Sequence, residues 1–148
     1  MRKAAIKSKG FTIGEVLIVF VVVSAMILVS MPFLKQIIIR RDKVICAGNL
    51  RELGLALYIY AREHEGRFPG KVKTLYDEGY LSDEKLLDCP STRETGSLES
   101  PDYIYAAGLT IKSPSQEALV WDKAKNHEGK GRNVLYLNGV VAWEEEHD

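Results

Sequence analysis

Residues 11–31, FTIGEVLIVFVVVSAMILVSM, run for 21 positions with a single charge, Glu15. As a helix rising about 1.5 Å per residue, this run covers roughly the 30 Å hydrocarbon core of a bilayer. No side of such a helix is polar, so in a soluble protein it would need a large core all around it. The rest of a 148-residue chain does not easily supply that core. A secretory signal peptide is shorter, about 7–15 apolar residues, and carries its small-residue cleavage site after them. The run reads as a single membrane span close to the amino terminus.

Charge does not orient the span. Arg2, Lys3, Lys7 and Lys9 precede it, and Lys35, Arg40, Arg41 and Lys43 follow it. The whole chain carries 20 basic and 20 acidic residues, so once the first ten residues are set aside the remainder is slightly acidic. It ends in Glu144, Glu145, Glu146, His147 and Asp148. That balance argues against a polyanion-binding surface, and nucleic acid is not an expected partner.

Glu15 is the sharper feature, because a carboxylate inside an apolar span is costly and usually has a partner or a task. It lies close to the basic end of the span, where it can also snorkel to the interface. The order of features in KSKG-FTIGEVLIVF, a basic leader ending in Gly10, then Phe11, then Glu15 as fifth residue after the junction, resembles the processing segment of type IV pilins and type II secretion pseudopilins. The resemblance implies that a prepilin peptidase cuts after Gly10 on the cytoplasmic side and methylates Phe11. The new α-amino group, mostly protonated at neutral pH, would then neutralise Glu15 of the same or a neighbouring subunit during assembly. Gly14 departs from the large aliphatic residue usual in the family, and Pro32 resembles the kinking proline of many type IV pilins.

Beyond the span the helical pattern continues, with Leu50, Leu53, Leu57 and Tyr60 forming an apolar stripe. Gly48 and Gly54 weaken this stem and mark a bend or a close helix–sheet contact. The helix should stop near Glu65 and Gly66, before Phe68-Pro69-Gly70. Residues 70–100 read as loop with a short helix at 72–78. Strand candidates follow at 103–105, 118–121, 133–137 and 140–143. The last two flank Asn138-Gly139, a signal for a tight type I′ hairpin. The expected organisation is a leader at 1–10, an assembly helix at 11–34, an amphipathic stem at 35–66 and a headpiece at 67–148 ending in a β-hairpin. The fold class is α+β, with the long helix packed on a small antiparallel sheet, the lollipop of pilin-like proteins.

The headpiece segments NLRELGLALYIYAREHEGRFP, DCPS and WDKAKNHEGKGRNVLYLNGVV look like a pseudopilin-like group with a terminal motif of His, nine residues, then Asp-Gly. Here ten residues follow His127, and Asn138 stands in place of the acid, which favours a turn role over a metal-binding one.

No other chemistry stands out. His64, His127 and His147 lack metal-type spacing and read as solvated, so no metal site is expected. Calcium binding, as in major pseudopilins, could use a loop with Asp122, Glu128 or Asp102, but no D-x-D-x-D-G pattern accompanies them. No phosphate loop or G-x-S-x-G nucleophile is present, and an enzyme is not expected. Cys46 and Cys89 either pair in a disulfide on an exported headpiece or lie as two separate buried thiols. Trp121, Trp143, Tyr58, Tyr60, Tyr103 and Tyr105 read as core and interface aromatics.

The resemblance implies a structural subunit of a type II secretion pseudopilus or type IV pilus-like filament. Its expected partners are the membrane, the prepilin peptidase, other pilin-like subunits and the assembly machinery. It would be single-pass in the cytoplasmic membrane, amino terminus inside and headpiece outside. The alternative is a non-polymerising single-pass protein whose exported domain binds a ligand or another protein.

Overall fold

The computed structural model describes residues 12–92, 95–123 and 125–145. Its first element is the long helix α1, Ile13–Glu63, which passes through Pro32. The chain divides between Ile37 and Ile38 into two units. In the first, every described residue from Thr12 on is exposed. In the second, the rest of α1 is a core helix: Cys46, Leu50, Leu53, Leu57 and Ala61 are fully buried. Those positions step by three or four residues, the spacing that keeps side chains on one helix face. Tyr60 of the expected stripe is only half-buried, because Ala61 takes the inward position one turn after Leu57.

The helix ends where the sequence places its stop, and the cap explains why. Glu65 and Gly66 both adopt left-handed backbone, at φ 55° and 81°, and the Gly66 N–H donates to the Ala61 carbonyl at 2.7 Å. This six-to-one bond is the Schellman closure of a helix end. A short helix α2, Val72–Asp77, and a 3-10 turn, Glu84–Leu87, lead to the sheet.

Four strands form an antiparallel meander in chain order: β1 Tyr103–Tyr105, β2 Ala118–Asp122, β3 Gly131–Tyr136 and β4 Val141–Glu145. The register pairs Tyr103 with Asp122, Trp121 with Val134, and Val134 with Ala142, with an irregularity in β2 between Ala118 and Val120. Leu119, Val120, Val134 and Leu135 supply the sheet's part of the core. Of the two stem glycines, Gly54 makes the close contact: a Cβ there would lie 2.8 Å from Leu135 Cδ2, whereas Gly48 faces open space.

The hairpin between β3 and β4 differs from the expected type I′ turn. Tyr136 N–H donates to the Val140 carbonyl and Gly139 N–H to the Tyr136 carbonyl, both at 2.9 Å, leaving a three-residue loop. Only Gly139 of the pair has positive φ, 80°. This is a type I turn followed by a glycine bulge. Asn138 serves through its side chain, whose Oδ1 accepts the Val140 N–H at 3.0 Å.

Candidate functional site

Two places gather the residues singled out in the sequence: the start of α1, and a polar cluster inside the headpiece. Gly10 and Phe11 lie outside the described residues. The first described turn shows how Glu15 is held. Thr12 N–H and Thr12 Oγ1 both donate to Glu15 Oε2, at 2.8 and 3.0 Å, and the Glu15 N–H donates back to Thr12 Oγ1 at 3.3 Å. Such reciprocal bonding is a capping box, which supplies partners for backbone donors that a helix start leaves unpaired. The Thr12-x-x-Glu15 spacing was visible in the sequence and is the signal that finds it.

The apolar run after Glu15 carries its large side chains outward, with Leu17, Phe20, Leu28 and Phe33 each at least 60% exposed. Its two serines hide their hydroxyls: Ser24 Oγ donates to the Phe20 carbonyl and Ser30 Oγ to the Met26 carbonyl, each at 2.7 Å. Both polar groups are thereby satisfied within the helix, as a lipid-facing or subunit-facing surface requires. By length and composition the segment is able to cross a membrane.

The second place is built by four chain segments. Cys46 comes from the core half of α1 and Cys89 from the loop after the 3-10 turn. Asp122 ends β2, and His127 lies in the turn that leads to β3. All four are buried, and their ligating atoms lie within 4.8 Å of one another. The two sulfurs are 2.8 Å apart, both as free thiols. His127 Nε2 lies 3.0 Å from Asp122 Oδ2 and 3.7 Å from Cys89 Sγ. Asn133 fixes the carboxylate by donating its backbone and side-chain N–H to Asp122 Oδ2, at 2.8 and 2.9 Å. Ser91 Oγ accepts the His127 N–H at 3.0 Å and touches Cys89 Sγ at 2.9 Å.

His127 thus differs from the solvated histidine expected of a polar segment; it is 1% exposed, with the Trp143 ring packed edge-on at 5.4 Å. Its backbone shows what turns it inward. His127, Glu128 and Gly129 adopt consecutive left-handed conformations, at φ 53°, 59° and 69°. For the two non-glycine residues that is strain the surrounding structure must hold. Asp102 is elsewhere engaged, accepting from Cys89 N–H and Thr92 Oγ1 at 2.9 Å each, while Glu128 pairs with Lys130 on the surface at 2.7 Å.

Electrostatics differ across the cluster. The Cys89 thiol is pulled down to about 5, first by the hydrogen bond from Cys46 and then, against burial, by those from His127 and Ser91. Cys46 moves up, through its bond to Cys89 and through burial. Burial lowers His127, but its bonds to Asp122 and Cys89 outweigh this and push it up to about 9. Sequence reasoning missed the constellation because Cys46, Cys89 and the Asp122–His127 segment come from three distant parts of the chain, Cys89 standing 43 positions after Cys46 and 38 before His127, with no local motif to join them.

Comparison with known proteins places the chain. The ComG operon protein 3 homolog of Bacillus licheniformis is 31% identical over 83 residues, which cover 56% of this chain and 82% of that protein. No family model matches, and no solved structure matches.

Proposed function

The chain belongs to the family of the ComG operon protein 3 homolog, and from that premise we propose that it is a membrane-anchored, pilin-like subunit of a pseudopilus. In this reading the leader is removed after Gly10 by a prepilin peptidase, Phe11 is methylated, and the subunit enters the filament through its apolar helix. The family favours a competence pseudopilus over a secretion pseudopilus or an adhesive pilus. The amino terminus begins on the cytoplasmic side, where the peptidase acts, and the headpiece lies outside. The observation that carries the reading is the exposed apolar half of α1: lipid covers it before assembly and neighbouring helices cover it afterwards.

The capping box supports a second reading, a single-pass anchor that does not polymerise. Glu15 already has a local task there, which needs no neighbouring subunit. The two tasks separate chemically, because glutamine serves in a capping box but carries no charge. If the carboxylate draws in the next subunit, Glu15→Gln inserts normally and is absent from the filament, as is Glu15→Ala. Assembly of Glu15→Gln but not Glu15→Ala would assign the residue to capping alone. Normal assembly of both would remove Glu15 from the mechanism, and a full-length leader on assembled chains, read by intact mass, would remove the processing step.

A further inference from the structure

The headpiece cluster has the composition of a metal site, and each of its parts has a place in one. Two sulfurs, an imidazole nitrogen and a carboxylate oxygen are the donor set of a closed four-coordinate zinc centre. Zinc–ligand distances of about 2.0–2.3 Å require donors about 3.3–3.8 Å apart at the corners of a tetrahedron. The Cys89–His127 distance of 3.7 Å and the His127–Asp122 distance of 3.0 Å are close to such edges. The two sulfurs, at 2.8 Å, must part by about 1 Å to admit the ion.

Supporting contacts hold the donors in place. Asn133 fixes Asp122 and also donates to the Lys43 carbonyl at 3.2 Å, tying the carboxylate to α1. Ser91 holds the His127 backbone and lies against Cys89. Such surroundings orient ligands and tune their basicity. Asp122 Oδ1 and His127 Nδ1, both buried, have no hydrogen-bond partner. A buried carboxylate oxygen without a partner is costly in a protein and is relieved beside a cation. Catalysis by a Cys–His–Asp relay explains the same residues less well, since a nucleophile with 1% exposure offers a substrate no approach.

We infer that Cys46, Cys89, Asp122 and His127 bind one Zn²⁺ ion that fastens the core half of α1 to the loops and sheet of the headpiece. The inference stands independently of filament assembly. Full-length protein, extracted in detergent and purified under nitrogen without reductant, should carry stoichiometric zinc by plasma mass spectrometry. His127→Gln and Asp122→Asn should each lower that content at least about tenfold, while His127→Cys, which restores a thiolate ligand, should retain it. Because a variant can fail for want of folding, the unaltered chain gives a second measurement. After zinc is exchanged for Co²⁺, it should show the visible absorption of tetrahedral thiolate coordination. A zinc-free chain whose mass and thiol count show a Cys46–Cys89 disulfide would overturn the proposal. So would free thiols that take up no Co²⁺, or zinc that survives His127→Gln undiminished.

Discussion

The two halves of α1 have similar backbone and opposite surroundings. Before Ile38 the apolar side chains point in all directions and all are exposed; after it, one apolar face, with Cys46, Leu50, Leu53, Leu57 and Ala61, is fully buried, while Val44, Ile45, Leu55 and Ile59 lie outside it and stay exposed. A helix without a polar side is written for a medium that surrounds it, whereas a striped helix is written for a partner on one side. The same residue type therefore carries different weight. Leu50 and Leu57 hold the headpiece together, and Leu17 and Leu28 set the affinity of the anchor for its environment.

The comparison is broken most severely at Leu50. Leu50→Ala should cost the headpiece about 2–5 kcal/mol in denaturant unfolding of the detergent-solubilised protein, while Leu17→Ala should leave that transition in place. Equal effects would show that the exposed half also contributes to the folded core. Next in size, Gly54→Val pushes a side chain into Leu135 and should destabilise by about 1–3 kcal/mol. Gly48→Ala, in the same helix, meets nothing within 4 Å and should stabilise by about 0.5–1 kcal/mol, visible as a raised Tm. Opposite signs for the two glycines would confirm which of them lies against the sheet. The smallest effect belongs to the capping box. Thr12→Ala should weaken the first turn of α1 by about 1 kcal/mol, read as faster amide exchange there, with headpiece stability unchanged.

The fold was largely legible because its signals are local. The end of α1, the short α2 and all four strands fall within a few residues of their expected positions, since periodicity and breaker residues act over a few positions. The hairpin turn was misread because Asn-Gly suits two geometries. Extending the loop to Leu137 leaves only Gly139 in left-handed backbone. The polar cluster was legible only in part: Cys46 and Cys89 stand out as a candidate pair and their sulfurs lie 2.8 Å apart, but nothing local brings Asp122 and His127 to them. Its histidine stands in a stretch of Lys, Asn, Glu and Gly that reads as surface, and only the left-handed turn at 127–129 rotates it beneath Trp143. Burial of His127 is a tertiary outcome that composition in its neighbourhood opposes. Glu15 lies between these cases: its oddity was plain, but its partner Thr12 was overlooked three residues away.

The order of strands in the sheet bears on how such a chain reaches its folded form. Each strand pairs with the one synthesised just before it, so the sheet grows by successive hairpins and no strand waits for a distant partner. Short loops between contacting segments favour rapid folding and limit the time that unpaired edges are exposed. A longer-range requirement is the earlier helix, whose buried stripe must be present when the strands emerge. A chain tethered by its first segment meets that requirement by construction, with the template in place before the sheet that closes over it.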